Sequence, residues 1–203
     1  MEQYMKVLKS LKRFPRTLED KLRENVKPIL FKTGDIIQWQ GKYCRHLYFI
    51  EKGLVRIFYT TKGNEQVHGF KKENDFIIGH IVPEDGSEEF AYCIEALEDT
   101  MLWDFPEELV ASLSRESHKF LLIHSTILMK DMAHLNGASN LHPYHTSNWF
   151  DYLRQNCPQL LDRVPVKYLA SFIGVSEKVF LHMKDSSLKM GVVPKKPVRR
   201  RTA

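Results

Sequence analysis

From Pro28 onward the apolar residues of this chain recur with a period of two. The runs ILF, DIIQW, LYFIEKGLVRIFYT, EQVHGF and DFIIGHIV are short and rich in β-branched and aromatic residues. Gly34-Asp35, Gly41, Gly53, Gly63-Asn64 and Asn74-Asp75 separate them. Strands this short, with turn signals between them, close into a small antiparallel barrel or roll. On either side the period is helical, so the fold class expected is α+β. Within residues 1–27, Val7, Leu8, Leu11, Leu18, Leu22 and Val26 make a partial apolar face interrupted by Pro15. One or two short helices laid over the roll are expected there.

The helical period returns between Pro106 and Leu135, with Glu107 and Glu108 suited to a helix N-terminus. Leu121, Leu128 and Leu135 recur every seven residues, Ser125 and Met132 hold the positions between, and Ile127 and Met129 lie alongside. Residues 136–143, NGASNLHP, are rich in helix breakers and read as a hinge. Trp149, Phe150, Tyr152 and Leu153 begin another helix, which Asn156-Cys157-Pro158 ends.

Residues 164–188 read as two short helices around a tight turn. Leu169, Phe172 and Ile173 give the first an apolar face, and Gly174 supplies the positive φ of a sharp turn. Ser176 is a candidate N-cap, and Glu177 suits the positive end of the next helix. That helix is expected to bury Val179, Phe180 and Met183, with Lys178, His182 and Lys184 on its other face. The small Ala170 four residues before Gly174, with Leu169, Ile173, Val175, Phe180 and Met183, matches the pattern of a DNA-binding helix-turn-helix.

Charge follows this division. From residue 178 on there are eight Lys or Arg against one acid, Asp185, so the net +5 of the chain conceals a slightly acidic remainder. Such a field suits a polyanion, although Arg199-Arg200-Arg201 is equally read as a solvated tail. The first 18 residues are too charged for a signal peptide, and no apolar run approaches the roughly 20 residues of a membrane span. Cys44, Cys93 and Cys157 are odd in number and far apart, which suits a reducing cytoplasm better than a disulfide frame.

The roll sequence also carries a family resemblance. Gly34-Asp35, Gly41, Leu47-Tyr48-Phe49-Ile50, Gly53, Val55-Arg56, Gly63, Phe70 and Asp75-Phe76 resemble the cyclic-nucleotide-binding β-roll of Crp/Fnr-type bacterial regulators. The resemblance resumes at residues 94–100, IEALEDT, and continues through the two-helix segment in the family's order. It implies a roll with N-terminal helices over residues 1–112, a long dimerisation helix and hinge over 113–141, and a winged-helix-like DNA-binding domain with a basic tail over 142–203. It implies a homodimer, with Leu121, Leu128, Met132 and Leu135 in the seam; packing of that stripe onto the chain's own roll is the other reading. Double-stranded DNA is the implied partner. Glu177, Lys178 and His182 map to the base-reading positions and Ser176 to a phosphate contact, with Lys184 and Lys189 as further phosphate contacts. No clear hairpin follows Lys189, so the wing is incomplete.

The family's nucleotide cassette is altered. Where relatives hold the ribose with Glu, this chain has Gly79-His80; where an Arg-Ser or Arg-Thr pair holds the cyclic phosphate, it has Glu89-Phe90. Residues 84–108 contain ten acids and no Lys or Arg. A carboxylate repels a phosphate at close range, so the roll is expected not to bind cyclic AMP, and to take a cationic or neutral effector or none. A shifted loop bringing Arg45 or Arg56 inward is the alternative. No cofactor or metal is expected: the nine His, including His118, His124, His142 and His145, form no ligand spacing. No phosphate loop or catalytic triad is present, and the chain is read as no enzyme. The competing function is a ligand-binding or protein-interaction module whose two-helix segment is structural.

Overall fold

The computed structural model describes residues 2–42, 46–78, 91–139, 150, 153–155 and 157–189. The chain divides into two compact units, Met1–His142 and Pro143–Ala203.

The first unit begins with two short helices, α1 (Gln3–Leu11) and α2 (Arg16–Asn25), with Pro15 as the N-cap of α2. Among the described residues eight strands follow: β1 (Lys27–Phe31), β2 (Ile36–Gln38), β3 (His46–Lys52), β4 (Leu54–Thr61), β5 (Asn64–Lys72), β6 (Phe76–Ile78), β7 (Cys93–Ala96) and β8 (Thr100–Pro106). They form two four-stranded antiparallel sheets, ordered β1-β8-β3-β6 and β2-β7-β4-β5. Strand β8 carries no clear turn-bounded alternation in its TMLWDFP sequence, yet it is central, between β1 and β3. Trp39, read as strand, falls beyond the end of β2 and is exposed.

Strand β3 is buried on both faces, which sets the layering. Tyr48 and Ile50 point between the sheets, among Val55, Ile57, Ile77, Ile94 and Leu102. Leu47 and Phe49 point the other way, into a cluster with Tyr4, Leu8 and Leu22 from the N-terminal helices and Phe120, Ile123 and Ile127 from the later ones. The sheet β1-β8-β3-β6 therefore lies between the second sheet and a helical layer. Glu51 fastens α1 there, accepting from the Gln3 amide at 3.2 Å and from the Trp103 indole at 2.9 Å.

Gly53 makes the single-residue corner between β3 and β4, so the chain passes there from one sheet to the other. Its φ is +117°, and a Cβ at this position would lie 2.3 Å from Thr100 Oγ1 and 2.7 Å from Thr100 Cα. Only glycine meets both demands.

After β8 the chain forms α3 (Glu107–Glu116), breaks at Ser117, and resumes as α4 (His118–Ser139). This corrects two expectations. The long helix starts at His118 rather than at residue 113. It also continues through Asn136, Gly137, Ala138 and Ser139, where a hinge was expected: single weak formers are tolerated once a long helix is nucleated.

In the second unit, Phe150 and residues 153–155 are helical, and Cys157 then precedes α5 (Pro158–Arg163). Pro158 opens this helix, as its missing N–H permits. Next come α6 (Val166–Ile173) and α7 (Glu177–Lys189). Gly174 joins them in the left-handed conformation, φ +73°, and its N–H caps the carbonyls of Ala170 and Ser171. Leu169, Ala170, Ile173 and Phe180 are buried here, with the Phe150 ring edge-on to Phe180 at 5.8 Å.

Burial pushes the Tyr4 phenol up to about 12, whereas an unfolded tyrosine ionises near 10. The folded chain keeps a proton that the unfolded chain loses, so Tyr4 stabilises below about pH 10, and that contribution disappears as the pH rises through about 12. Tyr4→Phe should flatten this alkaline decline in urea-unfolding series. An equally steep decline in the variant would show that Tyr4 does not cause it.

Candidate functional site

Two regions carry the residues singled out from sequence, one in each unit. In the first unit, Gly79, His80, Glu89 and Phe90 lie outside the described residues, as do Cys44 and Arg45. The neighbouring strands are described. Arg56 on β4 is almost fully buried. Its Nε donates to Glu95 Oε2 at 2.5 Å, its Nη1 donates to Glu65 Oε2 at 2.7 Å, and Nη2 pairs with Glu95 as well. The guanidinium also sits 3.9 Å above the Phe58 ring. Two carboxylates thus occupy the guanidinium fork. On the same sheet, His68 stacks on Tyr92 at 4.6 Å and Tyr59 meets Tyr92 edge-on at 6.1 Å. Burial raises the Tyr92 pKa.

Lys71 joins the roll to α4. It lies on β5 opposite Val55, donates to the Phe76 carbonyl at 2.6 Å, and forms an ion pair with Asp131 of α4. Both side chains are buried, at 5% and 7% exposure. Nothing in the sequence pattern marked this pair, because each residue alone reads as a surface charge.

The ion pair fixes the rotation of α4. Phe120, Ile123, Ile127 and Asp131 face the roll, and Leu128 is partly buried against the same cluster. The opposite face exposes Leu121 at 41%, Leu122 at 39%, Met129 at 64% and Met132 at 62%. Of the seam residues read from sequence, Leu121 and Met132 therefore lie on this exposed stripe, whereas Leu128 turns toward its own core. Of Leu135 the helical backbone alone is described. Leu122 was missed and Met129 placed only alongside, because the seven-residue spacing was counted from Leu121 and Leu128.

In the second unit, Ser176 Oγ accepts from the Val179 N–H at 3.3 Å, as an N-cap should. Glu177, Lys178, His182 and Lys184 are all exposed on α7. His182 Nδ1 lies 3.1 Å from Ser186 Oγ, leaving Nε2 as the ring's other hydrogen-bonding atom. Of Lys189, only the backbone is described. Phe180 is buried and Met183 half-buried, but Val179 is 45% exposed, against expectation. It sits 100° around the helix from Phe180, on the flank of the buried stripe. Leu181, at 46% exposure, stands among the polar residues of the outer face, and Lys167 on α6 adds an exposed cation. Charge counting along the chain found neither.

Among the described residues no group of His, Cys, Asp and Glu could hold a metal ion, and no helix is long and apolar enough to cross a membrane. Cys93 is buried, its sulfur accepting from the Gln40 N–H at 3.3 Å, and Cys157 is half-buried.

Residues 28–117 match the family model of the cyclic nucleotide-binding domain. Among solved structures, FixK2 from Bradyrhizobium japonicum superposes with a TM-score of 0.70 at 12% identity, over 86% of this chain and 90% of its own. CLP, the c-di-GMP responsive global regulator of Xanthomonas campestris, superposes with a TM-score of 0.68 at 14% identity, over 90% and 96%. A Crp/Fnr-family protein of Eubacterium rectale gives 0.67 at 16% identity, over 90% and 88%. The chain has a β-roll like that of these Crp/Fnr structures. No curated protein sequence matches it. This roll occupies the first unit, where Lys71 and Asp131 tie it to the long helix.

Removing one partner of a buried pair strands the other charge. Lys71→Met should lower urea-unfolding stability by about 3–5 kcal/mol, and Lys71→Met with Asp131→Leu should recover most of it. A single variant as stable as the parent would mean the pair is not desolvated.

Proposed function

We propose that this chain is a sequence-specific, DNA-binding transcriptional regulator that acts as a homodimer in the cytoplasm, not an enzyme. The observation that carries the reading is the α6–Gly174–α7 pair, closed by Ala170 and Phe180 and presenting Lys178, His182 and Lys184 to solvent. In a helix-turn-helix the second helix enters the major groove. Lys178 and His182 then read base edges, with Glu177 beside them. The Ser176 cap, Lys184, Lys189 and the terminal basic residues contact phosphates. Imidazole lacks the fork of Arg, so His182 discriminates guanine less sharply than a bidentate contact would.

The exposed stripe Leu121, Leu122, Met129 and Met132 supports pairing of two long helices. Met129→Asp places a charge in that seam without touching the chain's own core. It should yield monomers in sedimentation at micromolar concentration and weaken duplex binding. Lys178→Ala should relax preference at one base pair by about 1–3 kcal/mol. Deleting residues 195–201 should weaken all sequences alike and flatten the salt slope. If the deletion alters preference and Lys178→Ala does not, the roles of reader and anchor are reversed.

The roll does not bind cyclic AMP on this reading. Glu65 and Glu95 fill the Arg56 fork, and Glu89-Phe90 replaces the phosphate clamp. CLP, a protein of the same fold, responds to c-di-GMP, so the fold alone does not dictate one nucleotide. Calorimetric titration with cyclic AMP should give no binding, and micromolar affinity would overturn this part.

A second reading has its own support. Leu181 and Val179 place two exposed apolar side chains on α7, which suits a protein-docking face in a ligand-binding or interaction module. Under that reading duplex DNA is not retained even at low salt.

A further inference from the structure

Leu181 lies on the outer face of α7 with 46% of its surface exposed. On a helix the neighbours of a residue are those three and four positions away. For Leu181 these are Glu177, Lys178, Lys184 and Asp185, all exposed. One apolar side chain thus stands inside a ring of two acids and two cations. Val179, the other exposed large apolar residue of α7, is two positions away, about 200° around the helix. The two side chains therefore point away from each other.

This ring decides between occupants. An apolar protein surface seated on Leu181 would also cover the four charges. Unpaired charges taken out of water cost more than the burial of one leucine contributes. The major groove of duplex DNA presents a matching mosaic. It offers guanine acceptors to a cation, the cytosine amino donor to a carboxylate, and the thymine 5-methyl group to an apolar side chain. Position along the helix agrees. Leu181 opens the second turn of α7, and base contacts come from the N-terminal part of a recognition helix. It lies three residues beyond Lys178, about 4.5 Å of helix rise, close to the roughly 3.4 Å between stacked base pairs.

We propose that Leu181 is a specificity-determining residue that reads the 5-methyl group of a thymine, beside the base pair that Lys178 contacts. This rests on the reading of α7 as a recognition helix. Uracil pairs as thymine does and lacks only the methyl, so exchanging the two removes this contact and keeps every hydrogen bond. One buried methyl corresponds to about a fourfold change in affinity. A dimer on a palindrome makes the contact twice, for about fifteenfold.

The test uses the full chain and a duplex enriched from a random pool. Each thymine of the half-site is replaced by uracil in turn, symmetrically in both halves, and affinity is read by fluorescence anisotropy at low salt. One thymine per half-site should be sensitive, its replacement weakening binding about fifteenfold. Leu181→Gln keeps a good helix former at an exposed position and removes the apolar contact. It should bind the thymine and uracil duplexes alike at that position. A methyl effect that persists in Leu181→Gln overturns the proposal, and so does a parent half-site with no methyl-sensitive thymine. A chain that binds no duplex at all defeats the recognition-helix reading itself; one that binds without methyl sensitivity defeats only the role of Leu181.

Discussion

A buried ion pair, Lys71 to Asp131, decides how the long helix lies on the roll. Two charges taken out of water add little net stability even when well paired. What the pair supplies is register. Turn α4 by one residue and Asp131 leaves Lys71, which stays buried beside the Phe76 carbonyl without its counter-ion. The arrangement that keeps the pair puts Phe120, Ile123 and Ile127 in the core. It leaves Leu121, Leu122, Met129 and Met132 uncovered. An apolar stripe opposite an already satisfied apolar face makes α4 a helix with two partners to satisfy, and the first unit provides only one.

The same economy runs through the sheets. Strand β3 has no polar face to give to solvent, because the second sheet covers one side and the helices cover the other. Gly53 allows the passage from β3 to β4 that places those two strands in different sheets. Arg56 is buried within the roll, and Glu65 and Glu95 occupy its guanidinium. The acidic run noted in the sequence is thus partly an internal counter-charge and not only a repulsive surface.

Much of the architecture was legible in the sequence because it follows from local chemistry. Alternation marked most of the strands, glycine marked the corners, and Pro15 marked the break between α1 and α2. Gly174 and Ser176 announced the joint between α6 and α7. What was not legible depends on partners far along the chain. Strand β8 is defined by its neighbours β1 and β3 more than by its own pattern. Lys71 and Asp131 are 60 residues apart. The true exposed stripe of α4 could be read only once its buried side was known, and the helix continued past Asn136 because local breakers lose to an established helix. The exposure of Val179 and Leu181 likewise reflects how little of α7 its neighbours cover.

The central claim is that two copies of the chain read a duplex with paired α7 helices. Selection from a random duplex pool with the full chain at low salt tests it most directly. The account predicts enrichment of a palindrome whose half-sites are centred about one helical turn, roughly 34 Å, apart. Enrichment of an unpaired half-site, or of no sequence at all, would contradict it.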